Sequence, residues 1–253
     1  MKTNCFSVIM ELEITIEPWS VLMRTLSLIS LSLALAGPGQ GGQDKADVRK
    51  ALDNAFEKSA ALKSYAFQID ERPGQGSGGM FRGSYEQGKP IFFLADKIEF
   101  FKKGETLAYK DGEKWERSRT GTLSDPLRIL GAAAKVRGAR LPHEELPELA
   151  KNIKKVKSTR DQSTKSTIFA GELEQAGTKK LVPKSLEGVA KKGQAKIWVG
   201  LDGQIHKYVL TIRVQGRQGN AEIDGEVTRT VSLSERGSTK IEVPEGARKA
   251  LDK

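Results

Sequence analysis

The 253-residue sequence holds one cysteine, Cys5, and only two histidines, His143 and His206. A single cysteine cannot close an intrachain disulfide, and two isolated histidines without cysteine partners do not make a zinc site. The G-x-S-x-G, H-E-x-x-H and P-loop patterns are missing. Ser232, Ser234 and Glu235 supply triad residue types alongside His206, but in no recognised spacing. Glu144-Glu145 offers two carboxylates, yet neighbours along a helix point in different directions, so solvated surface is expected there. The two histidines are read as structural or solvated. No catalytic residue, metal or cofactor is expected, and the chain is not read as an enzyme.

Long apolar runs are also missing. The longest candidate, Thr25 to Ala36, follows Met23-Arg24 and ends in Ala34-Leu35-Ala36. It falls short of the ~20 residues of a spanning helix. Its positive start, short apolar stretch and A-x-A end form the pattern of a secretory signal. Cleavage is expected after Ala36. Glu11, Glu13 and Glu17 put acid where a signal wants base, so translation is expected to start at Met23. Removing residues 1–36 discards Cys5 and leaves the mature chain one unit more positive than the full chain's +10. No cysteine follows the apolar stretch, so no lipid anchor is expected. Residues 37–43, rich in glycine, read as a flexible linker, and 44–253 as a single domain.

Basic residues outnumber acidic ones, 42 to 32. The densest run is Lys151-Asn152-Ile153-Lys154-Lys155-Val156-Lys157. It lacks the interleaved aromatics that base stacking uses, so no nucleic-acid partner is expected. Contact with an anionic membrane surface is the functional reading; a solvated helix end is the plainer one.

What the chain does have is strands. From Gln194 to Pro244 apolar residues alternate: Ala195, Ile197 and Val199, then Tyr208, Leu210, Ile212 and Val214, then Ile223, Val227, Val231 and Leu233. Asp202-Gly203 predicts a two-residue hairpin turn, and Lys240 to Val243 a short last strand ended by Pro244. Earlier, Asp44 caps a predicted helix from Lys45 to Lys63. Strands follow around Tyr65 to Asp70, Met80 to Glu86, Ile91 to Leu94, Lys97 to Phe101, Thr106 to Tyr109 and Lys114 to Arg117. The middle reads as helical. Ser124-Asp125-Pro126 precede a stripe of Leu127, Leu130 and Ala134. Leu146, Leu149, Ala150 and Ile153 form a second stripe, and two strands follow it. The fold class is therefore α+β, a curved antiparallel sheet with one apolar face and helices to cover it.

Tyr65, Phe67, Ile98, Phe100, Tyr109, Leu210 and Ile212 fall on apolar strand faces, with Leu127 and Leu130 on the covering helix. The plain reading is an ordinary core. The functional reading is a curled sheet whose helices leave a greasy cavity. An acyl chain buried there gains ~0.8 kcal/mol per methylene, on the order of 10 kcal/mol before binding costs.

The order of elements is similar to a known family. A signal, an amphipathic helix ending in Leu62-Lys63-Ser64-Tyr65-Ala66-Phe67, and glycine-rich hairpins resemble the start of LolA, the periplasmic carrier of lipoproteins. Asp202-Gly203-Gln204-Ile205-His206 and the closing Val243-Pro244-Glu245-Gly246 look like that family's second half. The helical middle followed by Ile197-Trp198-Val199 is similar to the mycobacterial lipid-binding lipoproteins LppX and LprG. The resemblance implies an unclosed β-barrel with helices as a lid over a hydrophobic cavity. Lys89-Pro90 stands where LolA carriers have Arg-Pro, which keeps the charge and loses the planar guanidinium. The resemblance also implies a monomeric periplasmic carrier for the acyl chains of lipoproteins or lipids, working with envelope transport proteins. A sensor or scaffold of the same fold that binds another envelope protein is the alternative.

Overall fold

In a computed structural model of the chain, residues 44–73, 79–118, 127–182, 186, 188–218 and 221–252 are described. The expected leader and linker, the glycine-rich tip at 74–78 and the Ser124-Asp125-Pro126 cap lie outside them.

Helix α1 (Lys45–Ala60) begins where Asp44 accepts a hydrogen bond from the Ala46 amide at 3.1 Å. Six strands follow, β1 (Ser64–Pro73), β2 (Gly79–Glu86), β3 (Ile91–Ala95), β4 (Ile98–Lys103), β5 (Thr106–Asp111) and β6 (Lys114–Ser118). Helices α2 (Leu127–Gly138) and α3 (Pro142–Asn152) come next. Then come β7 (Ile153–Asp161), β8 (Ser166–Leu173), α4 (Gln175–Leu181), β9 (Ala190–Val199), β10 (Ile205–Gln218), β11 (Ala221–Ser234) and α5 (Glu245–Leu251).

All eleven strands join one antiparallel sheet, ordered β6-β5-β4-β3-β2-β1-β11-β10-β9-β8-β7. The sheet is not closed, because β6 and β7 stand at opposite ends. β1 pairs with β11, which joins the first meander to the second, with Ile69 opposite Val231 and Glu71 opposite Arg229. Every second residue points to the concave face, as the pleat requires. There Phe67, Ile69, Phe93, Phe100, Tyr208, Leu210 and Val231 form one cluster with the buried sides of α1 to α4.

Tight turns hold the meander in register. The β3–β4 connection is Asp96-Lys97, both at positive φ (48° and 65°), the pairing a type I′ turn needs. Gly83 on β2 is required for a different reason. A Cβ there would lie 2.2 Å from the Phe92 carbonyl oxygen and 2.6 Å from the Phe67 ring. The Phe67 ring therefore occupies the space that a side chain on its cross-strand neighbour would take.

Four sequence expectations are corrected. Asp202-Gly203 does turn the chain, with Gly203 at φ 73°, but inside a longer loop closed by the Gly200 amide donating to the Gln204 carbonyl at 3.0 Å. Lys240 to Val243 is not a strand. β11 is already paired on both sides, by β1 and β10, so it has no free edge to offer. Instead the Ile241 amide donates to the Glu86 carboxylate at 2.7 Å. Ile241 packs with α5 and Phe101 and Ala108 over the convex face of β4 and β5. Helix α2 turns Ile129, Ala132, Ala133 and Val136 to the core rather than Leu127, Leu130 and Ala134. A helix whose buried face is half alanine gives a weak apolar pattern, and the larger leucines misplace its phase. The basic run is a helix end only at Lys151 and Asn152, where α3 stops, and Lys154, Lys155 and Lys157 stand exposed on the edge strand β7. Lysines and the bulge there, with Lys155 at φ 49°, discourage edge-to-edge pairing.

Candidate functional site

Alternation places Tyr65, Phe67, Ile98, Phe100, Tyr109, Leu210 and Ile212 together on the concave face, all buried. Tyr65 and Phe67 meet edge to face at 6.1 Å, and Phe67 meets Phe93 the same way at 5.5 Å. Tyr109 donates to Glu116 across the β5–β6 pair at 3.1 Å. Leu130 is half-buried, and Leu127, the first residue of α2, is 86 % exposed and outside the cluster. Lys89 and Pro90 sit in the β2–β3 turn, Lys89 exposed and Pro90 half-buried at the entrance to β3.

The cover is tied down at polar points. Arg49 of α1 donates to the Ala150 and Ile153 carbonyls at the end of α3, each at 2.8 Å, which neutralises carbonyls that the helix itself leaves free. The Ile205 amide donates to Ser59 of α1 at 2.8 Å. Lys135 of α2 pairs with Asp96 at 2.9 Å.

Helix α3 carries a deeper set. Arg229 of β11 lies on the concave face, in phase with Val227, Val231 and Leu233. Its Nε donates to Glu145 of α3 at 3.2 Å, its NH2 donates to the Arg140 carbonyl at 2.8 Å, and its NH1 pairs with Glu71 across the ladder. Tyr208 of β10, which pairs with Val231 and so lies diagonal to Arg229, is also buried and donates to the same Glu145 carboxylate. Burial, and then the Glu145 charge, push the Tyr208 phenol well above its ordinary range. Burial works against the Arg229 cation, but the carboxylates around it, Glu145 foremost and then Glu71, outweigh it and raise its pKa further. Glu145 Oε1, 3.1 Å from Arg229 Nε, accepts no hydrogen bond of its own from the described residues. Glu145 is thus a buried carboxylate, where solvated surface was expected.

Two residues earlier on α3, His143 Nδ1 lies 2.6 Å from the Tyr65 hydroxyl, and the Tyr85 ring stacks on the imidazole at 4.2 Å. Burial holds the His143 imidazole below its ordinary value, partly offset by Glu144. His206 lies 2.8 Å from the buried Ser166 hydroxyl.

Sequence reading missed the Arg229 set. The available signal was parity, since Arg229 occupies a position where its alternating neighbours are apolar.

Two grooves open on the convex face. One, of about 400 Å³, crosses β9, β10 and β11 and is lined by Lys192, Lys196, Val209, Thr211, Arg213 and Glu226 among others. The other, of about 280 Å³, runs between Phe92 and Phe101 and the Lys240–Pro244 segment. Among the described residues no cluster of His, Cys, Asp or Glu is placed to hold a metal ion. No helix among them is long and apolar enough to cross a membrane.

No family model matches the chain, and no curated relative matches it. Among solved structures it is similar to LprF from Mycobacterium bovis, with 12 % identity over 80 % of this chain and 98 % of that one, at a TM-score of 0.47. The lipoprotein LppX from Mycobacterium tuberculosis matches at 10 % identity over 79 % of this chain and all of its own, at 0.45. A LolA superfamily protein from Nitrosomonas europaea matches at 9 % identity over 81 % and 97 %, at 0.29. LppX and the LolA group are also those that the sequence resembles.

Proposed function

We propose that the protein is an exported carrier that holds acyl chains of a lipid or lipoprotein between the concave sheet face and its helices. The observation that carries this reading is the cover. An apolar face built from both halves of the sheet, from Phe100 to Ile212, is sealed by four separate helices of 16, 12, 11 and 7 residues. Helices of that length are marginal alone and depend on packing, so segments of this kind open locally at less than the cost of unfolding the sheet. Lifting them bares an aromatic trough fit for hydrocarbon. In the closed arrangement described, the same side chains pack against one another, and uptake requires the helices to move.

Native mass spectrometry of gently purified protein tests the reading. A lipid-sized mass travelling with the chain is expected. A bare chain that also fails to take up a fatty-acyl probe overturns it.

A second reading has its own observation. The 400 Å³ groove lies on the convex face, mixes Lys192, Lys196 and Arg213 with Val209 and Thr211, and is open to solvent. A scaffold or sensor protein would use such a face to hold another protein, with the concave face kept as a filled core.

A further inference from the structure

We propose that Arg229 and Tyr208 form a carboxylate site at the floor of the concave face, and that the cargo it selects is a long-chain fatty acid. This rests on the carrier reading and names the head group of its cargo.

The site is already built and already holds a carboxylate, that of Glu145. The donors belong to the sheet: Tyr208 on β10 and Arg229 on β11, both buried, their side chains converging on one acceptor. Arg229 is oriented from beneath by Glu71, its partner across the β1–β11 ladder. The acceptor alone comes from the cover, because Glu145 is the fourth residue of α3.

Glu145 is also an incomplete partner. It meets Arg229 through Nε rather than through the two-nitrogen fork that binds carboxylates best, and its Oε1 receives no hydrogen bond from the described residues. A buried ion pair of this kind adds little stability over apolar side chains of similar volume. Its placement calls for another explanation than holding the fold together.

When α3 lifts, Glu145 leaves with it and so does the Arg140 carbonyl. Of the partners among the described residues Arg229 then keeps Glu71, and the Tyr208 hydroxyl loses the acceptor that Glu145 gave it. Restoring that acceptor is what a ligand carboxylate would do, and the chain behind it would lie along Leu210, Tyr65 and Phe67. A methyl ester of the same length fits the trough equally but cannot take the Glu145 position as an anion. Glu145 therefore serves as a tethered stand-in for the ligand's head group.

The test is a titration of the full chain with hexadecanoic acid carrying a terminal fluorophore, and with the methyl ester of the same probe. The readout is the ratio of the two affinities, in which any effect of helix opening common to both probes cancels. The acid is expected to bind about tenfold or more tightly than the ester, the worth of hydrogen bonds to a charged group. Arg229→Gln should bring the ratio close to one, and Tyr208→Phe should lower it several-fold. Glu145→Gln, which removes the competing anion, should raise it. Should Arg229→Gln fail to fold, Tyr208→Phe leaves the ion pair in place and decides alone. Equal binding of acid and ester to the parent overturns the head-group assignment and leaves the carrier reading standing. A preference for acid that survives both Tyr208→Phe and Glu145→Gln unchanged places the carboxylate elsewhere and overturns the site. Binding of neither probe overturns the carrier reading with it.

Discussion

Arg229 and Glu145 form an ion pair whose side chains are 7 % and 0 % exposed, on a sheet face that is otherwise almost wholly apolar. The pair joins the centre of the sheet to the helix that covers it. It is therefore the point at which the cover meets the floor of the sheet through charge.

Breaking the pair from one side should be costly. Arg229→Met leaves Glu145 buried without its cation, and a loss of ~3–5 kcal/mol is expected. Replacing both, as Arg229→Met with Glu145→Leu, should recover most of it, since the two charges are then absent together. Urea unfolding of the two single variants and the double checks this. A double variant no better than the worse single would contradict it.

Phe100 separates a filled core from a pocket wall. It is fully buried on β4, opposite Tyr109. As part of a filled core, Phe100→Ala should cost ~3–5 kcal/mol and Phe100→Trp should also destabilise by overpacking. The closed arrangement predicts both losses for lipid-free protein. With an acyl probe bound, Phe100→Trp should cost affinity as well. Melting temperatures with and without probe measure this, and a parent-like melting point for lipid-free Phe100→Ala would contradict it.

The histidines set a pH dependence. His143 is held below its ordinary 6.5 mainly by burial, and His206 by burial and then the Arg236 charge. The unfolded chain therefore takes up protons first as pH falls through 6.5, and it binds more of them than the folded chain until the lowered folded values are reached. Stability is full above 6.5 and declines below it. The carboxylates with lowered pKa, Glu148, Asp161 and Glu172, add their losses only at more acid pH. A melting temperature lower at pH 5.5 than at 7.5 is expected, and His143→Asn should flatten the slope. A melting point constant over that interval would count against the burial of both rings.

Gly83→Ala tests the register of the first meander. Its new methyl would collide with the Phe92 carbonyl and the Phe67 ring, and backbone cannot yield as a flexible side chain does. A loss of ~1–3 kcal/mol is expected by denaturant titration, and a neutral substitution would mean that β2 and β3 are not paired as described.

The strands were legible because their signal is local. Alternation at Tyr65-Phe67-Ile69 and Tyr208-Leu210-Ile212 places β1 and β10 within a few residues of where they lie. The illegible parts depend on partners distant in sequence. Nothing near Lys240 says that β11 is already paired on both edges. Nothing near Glu145 says that an arginine 84 residues later will face it. The phase of α2 was lost because alanine buries as readily as leucine yet marks a face far less clearly. Arg229 could have been found by asking why one member of an apolar alternation is charged.

The central claim is that the concave face under the helices takes an acyl chain, and photolabelling tests it most directly. Hexadecanoic acid bearing a diazirine at its far end would be bound, irradiated and mapped by peptide mass spectrometry. Labels are predicted on the peptides of β1 and β4 and, within them, on Phe67, Phe100 and their concave-face neighbours. Labels confined to the convex face, at Val209, Thr211 or Lys192, or no saturable label at all, would contradict it.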